Sequence, residues 1–129
     1  MWLQVSYALA TVAMVLIGAG LVFARQRRRH IPLMLAAFVA DVVGLVIVEF
    51  VVPRVEGKSD PVSVFFSDFG VGMTTIHAFL ATLSLIGYFI QIGTGRKLMT
   101  DPSAMAGHKK GAMFFLVTRL GAYITMWMV

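Results

Sequence analysis

The chain contains no cysteine. This excludes a disulfide framework, a thiolate zinc site and a CxxCH haem attachment. Charge is also scarce: 13% of the 129 residues are charged, against about 25% in an ordinary soluble domain. Proline is rare enough, at four residues, to leave long runs unbroken. Catalytic patterns are missing as well. There is no HExxH, no GxSxG and no Ser-His-acid constellation, and Gly93 and Gly95 in "IGTGRK" lack phosphate-loop spacing. Nothing marks an enzyme. What fills the chain is apolar: 59% of it, with a mean hydropathy of +0.87. A water-soluble globule and a disordered tail are both excluded. The net charge of +5 would suggest nucleic acid in a soluble chain. Here the basic stretches are short and lack interleaved aromatics, so no nucleic-acid partner is expected.

A helix needs about 20 apolar residues to cross a bilayer. Four runs qualify: 2–24, 31–52, 69–92 and 111–129. The first lacks a basic leader and a small-residue cleavage site, so it is expected as a retained span. The connectors carry the charge. Arg25, Arg27, Arg28 and Arg29 follow the first run, and Arg96, Lys97, Lys109 and Lys110 separate the third from the fourth. The middle connector holds Arg54, Glu56, Lys58, Asp60 and Asp68, with Pro53 and Pro61 around it. The positive-inside rule puts the two basic connectors in the cytoplasm and both termini outside; Trp2 and Trp127 mark the outer interface. Short connectors make consecutive helices antiparallel neighbours. The expected fold is an all-α, integral membrane, four-helix up-down bundle over residues 1–129, in a bacterial inner (plasma) membrane. Each half descends to a basic loop with a histidine, His30 or His108, and then rises. Gly18, Gly20 and Gly44 allow close helix approach.

Ionisable groups inside a span are costly and face the bundle interior or a water-filled cavity. Counting from the basic ends at about 1.5 Å per residue, Asp41 and Arg119 both lie about 15 Å deep, near the midplane. Glu49 and His77 share a level about 12 Å further on. Asp41 with Arg119 reads either as a buried ion pair or as a charge-transfer step. Glu49 can orient one His77 nitrogen and leave the other for a metal or proton. Met73 stands one turn before His77, and Met126 reaches its level; such thioethers suit copper, or simply fill the core. His30 and His108 sit at the basic mouth, where they can hold a metal or the two faces of a haem. Arg27, Arg28, Arg29, Lys109 and Lys110 beside them can pair with haem propionates or with anionic lipid headgroups. Met34 follows His30 by one turn.

The stretches "RRRHIPLMLAAFVADVVGL" (27–45), "IHAFLATLSLIGYFIQIGTGRKLM" (76–99) and "HKKGAMFFLVTRLGAYITMWM" (108–128) resemble domain-of-unknown-function family 420. This is a family of small four-helix membrane proteins, one branch of which matures haem-A-type cytochrome c oxidase. The likeness covers roughly four-fifths of the chain. It rests on His30 with Met34, on His77 followed by Leu80-Ala81-Thr82 and Thr94-Gly95-Arg96, and on His108 with Lys109 and Lys110. Phe69-Gly70-Val71-Gly72 stands where the family has a glycine-rich stretch. Arg119 replaces a frequent tryptophan, a Thr-Gly pair is represented only by Leu120-Gly121, and Glu49 is not a family feature. The resemblance implies His30, His77 and His108 as ligands of haem b or copper.

Two functions follow. One is a haem- or copper-handling membrane protein of a respiratory chain, either a cytochrome c oxidase assembly or maturation factor or a small b-type cytochrome. The other is a cofactor-free accessory subunit of a larger electron-transport complex. Expected partners are the lipid bilayer, a respiratory oxidase or other membrane complex, and a second copy of the chain. A proton-coupled carrier using Asp41, Glu49, His77 and Arg119 would require an oligomer.

Overall fold

The computed structural model describes residues 1–56 and 72–129. The expectations on Lys58, Asp60, Pro61, Asp68, Phe69, Gly70 and Val71 therefore fall outside the described residues. All regular structure in them is helical: α1 (Trp2–Val22), α2 (Arg27–Val46), a π-helical turn (Ile47–Val51), α3 (Val52–Glu56), α4 (Met73–Thr100), a 3-10 turn (Pro102–Ala104) and α5 (Met105–Met126). Three stretches, Trp2–Val22, Arg27–Val55 and Met73–Thr100, are long and apolar enough to cross a membrane. The protein is an all-α integral membrane protein. In α5 the apolar run begins only at Gly111, beyond Lys109 and Lys110, and Arg119 interrupts it.

Two compact units divide the chain, one holding α1 to α3 and the other α4 and α5. In the first, α1 and α2 form an antiparallel hairpin. Ser6, Ala13, Ile17 and Gly20 make the buried stripe of α1, and Ala37 and Gly44 that of α2. Small residues let two backbones approach, and lipid-exposed helices gain their association mainly from such packing. The exposed side chains are correspondingly large and apolar, among them Val15, Leu35, Val39 and Val43. In the second unit, Gly87 does the same work. A Cβ there would lie 3.1 Å from the Cα of Phe115, so only glycine fits without moving a backbone. Phe115 is 1% exposed and its ring lies 4.4 Å from that of Tyr88.

The helices run past the ends of the apolar runs. α2 begins at Arg27 rather than Ile31, so its first turn contains three arginines. α4 continues through Arg96 and Lys97 to Thr100, and α5 starts at Met105 and takes in His108, Lys109 and Lys110. The expected third connector thus shrinks to a tight turn. Pro102 disfavours helix at Asp101, and the Asp101 carboxylate accepts from the Ser103 amide (2.9 Å) and hydroxyl (2.6 Å). These two bonds, the hydroxyl first, hold the Asp101 carboxyl below its ordinary pKa.

The second span also departs from a regular α-helix. The Val52 amide donates to the Ile47 carbonyl, five residues back. Pro53 has no N–H for the Glu49 carbonyl, and its ring crowds that same carbonyl. The ladder widens by one residue there, as π turns do, and Glu49 is set in the widened turn, half-buried.

Candidate functional site

Each of the three histidines is held through Nδ1 by an oxygen on the neighbouring helix of its own hairpin. His30, in the first turn of α2, lies with Nδ1 2.8 Å from the carbonyl oxygen of Gly20 on α1. A carbonyl can only accept, so Nδ1 carries the proton, and in the neutral ring Nε2 carries the lone pair. Met34 packs against the same glycine. A Cβ there would meet the Met34 sulfur at 2.8 Å. His30 and Met34, predicted as a pair, therefore do meet at one residue of α1, with the imidazole on its carbonyl and the thioether packed over its Cα.

His108 repeats the arrangement in the second hairpin. Its Nδ1 is 3.0 Å from Thr94 Oγ1, and that hydroxyl is also 2.8 Å from the Ile90 carbonyl. With the hydroxyl proton on that carbonyl, the imidazole donates from Nδ1. Gln91 Nε2 donates to the His108 carbonyl at 3.2 Å and steadies the same turn. Gly95 lies against the imidazole edge.

His77 follows the same logic at the other end of that hairpin. Its Nδ1 lies 3.0 Å from Thr125 Oγ1, whose proton goes to the Gly121 carbonyl at 2.9 Å or that of Ala122 at 3.1 Å. Thr125 is the neighbour of Met126, which the depth count set level with His77; Met73 stands one turn earlier on α4, half-buried. His77 and His108 do not share a site. Seventeen residues of α4 separate His77 from Thr94, about 25 Å of helix. Among the described residues, no three His, Asp or Glu stand close enough to hold a metal ion. A single protein-only metal centre built from all three histidines is therefore not what the fold provides.

The remaining predicted residues are distributed as follows. Asp41 is half-buried on α2, and Arg119 is 6% exposed on α5. Arg27, Arg28 and Arg29 are exposed on the first turn of α2, and Lys109 and Lys110 on the second turn of α5. The residues not anticipated are Gly20, Gln91, Thr94 and Thr125 as partners of the histidines. Thr94 was noticed only as part of a Thr-Gly pair, and Thr125 stands beside a methionine singled out by depth. The available signal was antiparallel register, since a threonine level with a histidine on the next helix is within reach of it.

No family model matches the sequence, and neither the curated proteins nor the solved structures contain a match.

Proposed function

We propose that this protein is a membrane b-type haem protein serving a respiratory electron-transfer chain, in which His30, His77 and His108 would be the residues that hold the haem. One observation supports the reading: all three imidazoles are held through Nδ1 by an oxygen of the neighbouring helix, an arrangement in which Nε2 would be the ligating nitrogen. Metal-binding histidines are typically fixed in this way. A closed metal site needs three or four protein ligands. A haem supplies four nitrogens of its own and asks the protein for one or two, which suits histidines that are not gathered into one cluster. The absence of cysteine from the sequence fits non-covalent attachment. Lys109 and Lys110 follow His108 near the start of α5 and have the charge to pair with propionates. The haem iron would supply one-electron chemistry. The chain would supply the ligand, fix its tautomer and exclude water. The resemblance to family 420 is what connects this reading to a cytochrome oxidase, as an assembly factor or a small cytochrome.

The test is a reduced-minus-oxidised visible spectrum of protein purified in mild detergent, with haem and copper determined on the same sample. Near-stoichiometric haem that is lost in His30→Ala or His108→Ala supports the reading. A protein that carries no haem and binds none on titration overturns it and leaves the accessory subunit.

A further inference from the structure

The turn between α1 and α2 carries Arg25, Arg27, Arg28 and Arg29, and no acidic residue precedes Asp41 in the chain. Asp41 lies twelve residues beyond Arg29 on α2, about 18 Å along it. The first turn of α2 contains no acid either. Three arginines thus crowd the positive end of a helix macrodipole, where cations are disfavoured and anions are stabilised.

The same turn has a groove of about 490 Å³ lined by Phe23, Arg28, Arg29, Pro32 and Leu33. Its lining is of two kinds. Phe23, Pro32 and Leu33 are apolar, while the Arg29 guanidinium stands 5.0 Å from the centre of the Phe23 ring. That contact holds Arg29 at the groove without neutralising it. α1 has 21 residues, about 31 Å and so one hydrocarbon core long. The groove therefore opens at the membrane interface, where acyl chains meet headgroups.

We infer that this groove is a binding site for one anionic phospholipid, whose phosphodiester is taken by Arg28 and Arg29 and whose first acyl carbons lie on Phe23, Pro32 and Leu33. Guanidinium forks match phosphate oxygens in pairs. An apolar floor beside them is of no use to a free phosphate ion but is matched to a lipid. The site is independent of haem binding, and its test does not read haem.

The experiment is native mass spectrometry of the purified protein after equilibration in mixed micelles holding equal phosphatidylglycerol and phosphatidylcholine. The expected result is one phosphatidylglycerol retained in preference to phosphatidylcholine. Retention should fall about tenfold or more in Arg28→Gln/Arg29→Gln, since each basic side chain at a lipid surface contributes about 1 kcal/mol. Lys109→Gln/Lys110→Gln removes the same charge elsewhere and should retain the lipid. Arg28→Lys/Arg29→Lys preserves the charge and protects the test against misfolding; it should weaken retention, because the forks are gone. Phe23→Ala should also weaken it. Equal loss in both glutamine variants would show diffuse attraction and overturn the proposal. So would equal retention of the two lipids, or full displacement by inorganic phosphate at millimolar concentration.

Discussion

At the scale of single residues, the proposed haem site turns on which imidazole nitrogen holds a proton. Thr94 is a positioning residue in this account: it takes the Nδ1 proton of His108 because its own proton is committed to the Ile90 carbonyl. Thr94→Val keeps the shape and removes the acceptor. Haem affinity, followed by titration of the Soret band, should fall about 10- to 100-fold, the usual cost of removing a partner behind a ligand. Thr94→Ser should restore it. A merely structural threonine would show the reverse pattern, with valine tolerated, because valine packs as well as threonine. Thr125→Val makes the same change behind His77. If it leaves affinity untouched while Thr94→Val lowers it, His108 is a ligand and His77 is not.

At the scale of helices, glycine positions separate by what surrounds them. A Cβ at Gly87 would press on the backbone of Phe115 at 3.1 Å, whereas at Gly93 nothing lies within 4 Å. Gly87→Ala should therefore destabilise the α4–α5 hairpin by about 1–3 kcal/mol, the range of overpacked sites. Gly93→Ala should be harmless. Thermal unfolding in detergent, followed by circular dichroism, compares them. The turn joining these helices makes a separate prediction. The Asp101 pKa is depressed in the folded protein, so its contribution is present above the unfolded carboxylate pKa and is lost as pH falls through the folded value. Asp101→Ala should lower the melting midpoint at neutral pH and have no effect at a pH below that folded value. Much of this level could be read in advance. The apolar runs found the helices, and depth counting set Met126, and hence Thr125, level with His77. The ends were missed because arginine and lysine stems extend along apolar surface while their charges reach water, so charge does not end a helix as it ends a hydropathy window. The π turn is not legible in the hydropathy of the second run, which ends at Val52 before Pro53, whereas here the helix widens by one residue and continues through Val55.

At the scale of the whole chain, the distribution of charge predicts which way the helices cross. Eight of the eleven basic residues lie at the two tight turns, as Arg25, Arg27, Arg28, Arg29, Arg96, Lys97, Lys109 and Lys110. Basic residues close to short turns are retained on the cytoplasmic side during insertion, so both turns should face the cytoplasm and α3 the opposite side. The lack of native cysteine makes this directly measurable, since each introduced thiol reports alone. Gln26→Cys, Val55→Cys and Ala106→Cys all replace exposed side chains; the Gln26 carbonyl accepts from the His30 amide, a backbone bond that the substitution keeps. In intact bacterial cells a membrane-impermeant maleimide should label Val55→Cys and leave the other two unlabelled until the membrane is opened. Labelling of Gln26→Cys from outside would reverse the orientation. His30 and the arginine groove would then face an exterior leaflet, and the electrostatic reading of the turns would fail together with it. Labelling as predicted sets His30 and His108 at the cytoplasmic surface. A haem held there would exchange electrons on that side of the membrane, which limits the redox partners worth testing to those that reach it.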